Sequence, residues 1–350
     1  MHAVVWWREV QFTHHTQGVI VNPYGLDDSG YVNRIEKALH TSTIQGGNAG
    51  GQQLIFLSYA GSIAHGTYNP VENPESIDDI DLMGVAMPPI RSVVGLERWE
   101  GVRVEDFPLD ATVYSLPKFV RLLLKSNPNV LTLLWNQHRH ILKINHTMQP
   151  FFEHRQEFLS KRIYSAVRGY ALDQRDHMSK GTFNGRMGEK RKELFRKYGY
   201  DTKAASHCLR LLIIGTEVLF GREDFDPDRT GKDAEFLRGV KNGEYPASTV
   251  QRDIDRWLTN LDWAHAESQL PDQSNSQLAE QLLMDAMSGH VLSQYMGRKM
   301  GESLKELSDK PPVDIQALND LGGWVQTGDG TWRKMDENDA GFLGIKNRGI

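Results

Sequence analysis

The sequence predicts an α+β protein: a mixed α/β unit over residues 1–146, a helical unit over 147–310 and a tail over 311–350. Three observations predict that order. Strand-length apolar runs closed by glycine or proline are confined to the first part. Helical periodicity carries most of the second. Pro311-Pro312 then ends the helices, and Gly328-Asp329-Gly330 between two tryptophan-bearing segments has the pattern of a hairpin turn.

Taken in order, residues 4–12 (VVWWREVQF) read as a strand, and Tyr31 to Ser42 as a short helix with Ile35 and Leu39 on one side. The glycine cluster Gly46-Gly47-Asn48-Ala49-Gly50-Gly51 precedes a strand and follows a helix. That is the reverse of a dinucleotide fingerprint, so it reads as a flexible connector. Gln53–Ala60 and Ile80–Met87 read as strands, the second stopped by Pro88-Pro89. Strand material between Val102 and Tyr114 is interrupted by Pro108. From Ser115 the spacing of Leu116, Phe119, Val120, Leu123 and Leu124 becomes helical, and Asn127-Pro128 restarts a helix. Residues 151–179, 186–197, 202–220, 249–269 and 275–307 all carry helical periodicity.

Composition excludes several classes. With 350 residues, 39% hydrophobic and 24% charged, the chain can bury a core in each part and disorder does not dominate it. A net charge of −5 argues against coating nucleic acid by bulk electrostatics, while leaving room for a local basic groove. The single cysteine, Cys208, excludes an internal disulfide and any multi-cysteine metal site, and fits a reducing compartment. No apolar run approaches the roughly 20 residues of a spanning helix, and MHAVVWWREVQF lacks the order of a signal peptide. The expectation is a cytoplasmic protein without membrane contact.

Chemistry concentrates first at Gly61-Ser62-Ile63-Ala64-His65-Gly66, followed by Asp78-Asp79-Ile80-Asp81-Leu82. Asp79 and Asp81, one residue apart on a strand, share a face. Two adjacent carboxylates repel, a cost that a cation between them removes. All-oxygen ligands suit Mg²⁺, which completes its shell with water and substrate phosphates. Gly61, lacking a Cβ, lets backbone N–H groups and the Ser62 hydroxyl approach phosphate oxygens. A two-metal phosphoryl-transfer site calls for a third carboxylate. Asp110 is the natural candidate, on the polar parity of its strand with Thr112. A lone D-x-D more often marks a solvated edge or turn; the three parts in strand–turn–strand–strand order are the stronger signal.

The second concentration is Gly199-Tyr200-Asp201-Thr202-Lys203-Ala204-Ala205-Ser206-His207-Cys208-Leu209-Arg210. Asp201 or Thr202 can cap the helix. Lys203, His207 and Arg210, at i, i+4 and i+7, share one face, opposite Ala205, Cys208, Leu209 and Leu212. Such a stripe is by default a solvated surface; this one is entirely cationic or protonatable until Glu217. Upstream, Arg186, Lys190, Arg191, Lys192, Arg196 and Lys197 read either as an exposed charged helix or as a contact for a polyanion. His138, His140 and His146 lack a metal-ligand spacing, Cys208 reads as a buried inert thiol, and no Walker A or G-x-S-x-G pattern occurs. Trp324 and Trp332 read as packing anchors of the tail.

These motifs, in this order, resemble the DNA polymerase beta-like nucleotidyltransferase superfamily, in particular its bacterial and phage branch of predicted nucleotidyltransferases. The resemblance is carried by Gly61-Ser62-x-x-x-Gly66-Thr67, Asp79-Ile80-Asp81-Leu82-Met83-Gly84-Val85, Asp110, Tyr114-Ser115-Leu116-Pro117-Lys118-Phe119, Asn127-Pro128, and the helix with Lys203, His207 and Arg210. The chain departs at residues 69–75, which look like a loop insertion, and in having Asp78 where the family has serine.

The resemblance implies an N-terminal nucleotidyltransferase domain and a helical domain that closes over the nucleotide. Asp79, Asp81 and Asp110 would be catalytic and would hold Mg²⁺ or Mn²⁺. Gly61 and Ser62 would grip the β/γ-phosphates of a nucleoside triphosphate such as ATP, and Lys203, His207 and Arg210 would stabilise the triphosphate or the leaving pyrophosphate. The acceptor hydroxyl stays open among an RNA end, a protein and a small molecule. A non-catalytic nucleotide- or RNA-binding relative and a metal-dependent phosphohydrolase are the alternatives.

Overall fold

The computed structural model describes residues 26–41, 43–44, 47–48, 52–70, 78–96, 98–180, 189–221, 225–308, 324–326 and 332–334. The expected strand at 4–12, most of the loop insertion, Arg186 and the glycine turn at 328–330 lie outside them. The described residues up to His290 form one compact unit, and those from Val291 belong to a second.

Within the first unit, α1 (Asp28–Thr41) buries Tyr31, Ile35 and Leu39, spaced at four residues as one helical face requires. A two-residue ladder pairs Thr43-Ile44 with Gly47-Asn48, so part of the expected connector is extended chain. A five-stranded sheet follows, in the order β3-β4-β2-β1-β5, from β1 (Gln53–Tyr59), β2 (Ile80–Met87), β3 (Gly101–Asp106), β4 (Leu109–Ser115) and β5 (Ile141–Ile144). The break at Pro108 is the tip of the β3–β4 hairpin, where missing N–H groups cost no ladder bond. β5 is an addition to the sequence reading: its four residues are half-buried, too short and mixed for a period-2 signal.

β2 and β4 are parallel neighbours, β1 and β2 antiparallel. β1 is buried on both faces, which is why QLIFLSY is nearly all apolar. A register shift between Leu54 and Phe56 turns Ile55 and Phe56 toward one core, while Leu54, Leu57 and Tyr59 pack on the other with α1.

The first of these cores continues into the helices without interruption, from Ile55, Val85 and Phe119 to Leu209, Leu212 and Leu261. α3 (Leu116–Leu124) starts at Ser115, whose side chain accepts from Lys118 N at 3.3 Å. α4 (Pro128–Leu131) is capped by Asn127 through Val130 N at 3.2 Å. The periodicity at 151–179 resolves into short turns and then α5 (Arg162–Lys180). α6 (Glu189–Tyr198) precedes α7 (Thr202–Leu219), the central helix, which packs against α5, α8 (Ala234–Lys241) and α9 (Ala247–Glu267). α8 went unread in the sequence because its eight residues lie among loop-forming ones. α10 (Ser276–Ser308) crosses the boundary between the two units. In the second unit, Trp324–Gln326 pairs antiparallel with Trp332–Lys334, as the hairpin expectation requires.

The turn after β1 is held from the helical side. Lys241 Nζ donates to Asp78 Oδ2 at 2.6 Å and to the Thr67 carbonyl, with side chains only 5% and 1% exposed for Lys241 and Asp78. Arg238 donates to the Gly66 carbonyl at 2.7 Å, and Arg229 N to the His65 carbonyl at 3.2 Å. Arg229, 2% exposed, is itself bound by Glu217 and Asp233 in two bidentate pairs. Glu217, at the end of the cationic stripe of α7, is thus a structural partner.

Removing one member of a buried pair leaves the other charge uncompensated. Asp78→Ala is expected to lower unfolding stability by about 3–5 kcal/mol. The double variant Asp78→Leu/Lys241→Met is expected to lie closer to wild type than either single, as read by denaturant unfolding.

Candidate active site

The parallel register of β2 and β4 sets Asp81 directly beside Asp110. Both face a cavity of about 230 Å³, lined also by Gly61, Arg103, Thr112, Asn129, His207 and Arg210. Residues from the turn after β1, from three strands, from α4 and from α7 therefore converge on one space. Asp110 and Thr112, expected on one parity of their strand, both line it.

Gly61 opens the four-residue helix α2 (Gly61–Ala64) with φ +54. A Cβ there would stand 2.0 Å from Asp81 Oδ2, so both the backbone conformation and the space demand glycine. Ala60 N donates to the Asp81 carbonyl at 2.9 Å, which pins this turn to the acid-bearing strand. Ser62 lies in α2 beside the cavity without lining it, and its carbonyl accepts from Thr67 N at 2.8 Å. Asp78, on the opposite side from Asp81, is consumed by Lys241.

Burial pushes the Asp81 carboxyl up to about 6; Lys203 pulls it down, and Asp79 and Asp110 push it up. Asp79 and Lys203 do not line the cavity; Lys203 Nζ stands 3.8 Å from Asp79 Oδ2. Asp110 accepts from both ends of the Arg103 guanidinium, Nε at 3.2 Å and Nη2 at 2.8 Å. Arg103, from β3, is a site residue that sequence reading missed. Its signal was strand parity: it stands opposite Thr112 in the hairpin register.

On α7, Asp201 supplies the cap, accepting from Ala204 N at 3.1 Å while Arg191 donates to it. The helix is buried nearly all round, so its polar stripe is not a solvated face. Burial lowers the His207 imidazole to about 4, with Lys203 and Arg191 pressing the same way, and its Nε2 is buried without a hydrogen-bond partner. Burial also lowers the Arg210 guanidinium to about 10. Among the described residues, Arg210 has neither an ion-pair nor a hydrogen-bond partner. A half-buried guanidinium with no partner lacks the compensation buried charges normally have. It lines the same cavity as Asp81 and Asp110. Cys208, on the other side, is buried with its thiol pushed up to about 12, the inert group expected.

Asp79, Asp81 and Asp110 offer the oxygen donors that Mg²⁺ or Mn²⁺ prefers, and the raised Asp81 carboxyl is one that a cation would relieve. Arg103 now supplies that positive charge to Asp110. Among the described residues, no three His, Cys, Asp or Glu side chains converge as a finished cage, His138, His140 and His146 included. The donor chemistry fits a divalent ion whose binding requires Arg103 to yield.

Comparisons with known proteins give a family and a structural neighbour. A family described as the RNA repair pathway DNA polymerase beta family, RlaP, matches residues 31–285. A nucleotidyltransferase-like protein from Exiguobacterium sibiricum matches with 9% identity over 86% of this chain and 95% of its own, at a TM-score of 0.24. No curated protein matches. Among the described residues, no helix is long and apolar enough to cross a membrane.

A carboxyl raised by folding favours the protonated native state, so its stabilising contribution is complete below about 3.8 and lost as pH rises through about 6. In chelator, Asp81→Asn is therefore expected to raise unfolding stability at pH 7.5 by roughly 1–3 kcal/mol, with no gain at pH 4. Denaturant titrations at the two pH values measure this. Gly61→Ala is expected to cost about 1–3 kcal/mol at either pH, since the strain is steric.

Proposed function

The chain belongs to the RNA repair pathway DNA polymerase beta family, and from that membership we propose that it transfers a nucleoside monophosphate from an NTP to a hydroxyl at an RNA end. The observation that carries this reading is the cavity itself. Asp81 and Asp110 stand in register on one side of it, and Arg210 and His207 Nε2, without partners among the described residues, face the same space. Carboxylates and uncompensated cations around one void suit a metal–triphosphate substrate, which brings both signs of charge.

In this reading Asp79, Asp81 and Asp110 hold Mg²⁺ or Mn²⁺, which when bound supplies Lewis-acid stabilisation of the phosphoryl oxygens. Backbone N–H groups after Gly61 and the Ser62 hydroxyl bind the outer phosphates. Arg210 donates to the pyrophosphate portion. His207, held neutral, donates a single hydrogen bond without adding charge, and Lys203 neutralises charge beside Asp79. The acceptor oxygen bonds to the α-phosphorus as the bond from that phosphorus to the bridging oxygen breaks. The electron pair leaves with pyrophosphate, and the acceptor proton passes to a carboxylate, for which Asp110 is placed once Arg103 releases it. The RNA acceptor rests on the family's printed description and on Lys192, Arg196 and Lys197 of α6, a basic segment leading into α7.

A second reading, a nucleotide-binding relative without catalysis, draws on the Arg103–Asp110 pair and the absence of a finished three-ligand cage among the described residues.

The test is label transfer from α-³²P-labelled ATP, CTP, GTP and UTP to RNA, protein and small-molecule acceptors with Mg²⁺ or Mn²⁺. Asp81→Asn and Asp110→Asn are each expected to lower transfer on the order of 10²–10³-fold. Arg210→Ala is expected to raise KM for the nucleotide about tenfold or more. Metal-independent binding without transfer would favour the binding relative, and orthophosphate instead of pyrophosphate would favour a phosphohydrolase.

A further inference from the structure

The charged groups of the cavity account for a metal and a triphosphate, and leave the nucleoside without a recognition partner. The neutral polar groups lining the cavity include Thr112, Asn129, Thr132 and Asn136. Two of these are committed elsewhere. Thr132 donates its hydroxyl to the Asn129 carbonyl at 3.2 Å. Asn136 donates its amide to Ser58 Oγ and the Tyr59 carbonyl, both at 2.9 Å. The Asn129 side-chain amide has no hydrogen-bond partner among the described residues.

Its position is also rigid. Asn129 is the second residue of α4, after the Asn127 cap and Pro128, and the following Val130 and Leu131 are each 1% exposed. A half-buried amide on a packed helical turn loses little entropy on binding. Chemically, it offers two donors and an acceptor without charge. That set matches a base edge or a sugar hydroxyl, both of which are neutral and carry donors or acceptors.

We propose that Asn129 is a specificity-determining residue that hydrogen-bonds the nucleoside portion of the NTP, an inference that rests on the nucleotide-binding reading above. The cavity then divides its work: Arg210 and His207 hold the phosphates, and Asn129 reads the uncharged part of the same molecule.

The experiment separates those parts with a ligand that has no nucleoside. Binding of ATP, CTP, GTP, UTP, 2′-deoxy-ATP and inorganic tripolyphosphate to the full chain is measured by calorimetry, for wild type, Asn129→Ala and Arg210→Ala. Asn129→Ala is expected to weaken at least one NTP about 5- to 20-fold while leaving tripolyphosphate unchanged, which also reports an intact cavity. Arg210→Ala is expected to weaken both. A loss that distinguishes ATP from 2′-deoxy-ATP assigns the contact to the sugar, and a loss that differs among the four NTPs assigns it to the base. Equal losses for NTP and tripolyphosphate in Asn129→Ala, or no loss for any NTP, overturn the role of Asn129 alone. Wild type that binds neither ligand overturns the nucleotide reading together with it.

Discussion

Two carboxylates placed side by side, one of them largely withdrawn from water, dominate the structure. Asp81 and Asp110 are register partners on parallel strands, and burial above all holds the Asp81 carboxyl at about 6. An apolar or amide pair at the same positions would be less costly. The neighbouring features follow from keeping this pair: a glycine where any Cβ would strike Asp81, a guanidinium laid across Asp110, and a lysine beside Asp79.

Cationic side chains reach the acids because the two halves of the first unit share one core. The turn 61–67 is anchored at its carbonyls by Arg238, Lys241 and the Arg229 backbone, all from the helical side. The buried Asp78–Lys241 pair locks the strand entry to α8. With that joint set, α7 presents His207 and Arg210 to the cavity across from strands that are remote in sequence. Among the described residues, His207 Nε2 and the Arg210 guanidinium have no partner there.

Arg103 links fold and chemistry. It is the residue that neutralises Asp110, and any divalent ion sharing that carboxylate must compete with a bidentate pair. The pair is partly exposed, with Arg103 60% and Asp110 33% accessible, so solvent screening keeps it exchangeable.

Much of this was legible in the residues. Ile80–Met87 emerged as a strand with the bounds its apolar run indicated, and Pro108 marked the hairpin tip. Gly61, Asp81, Asp110, His207 and Arg210 were singled out from spacing and motif, and they meet in one cavity. Those signals are local: period-2 alternation, i, i+4 and i+7 spacing, and glycine at a turn depend on a few consecutive residues. What only the tertiary structure decided is which distant groups neutralise which. That Asp78 belongs to Lys241, Glu217 to Arg229 and Asp110 to Arg103, while Arg210 and Asn129 line the cavity with no side-chain partner among the described residues, follows from packing across as many as 163 positions of sequence separation. Charge pairing acts through space, and a sequence orders residues only along the chain.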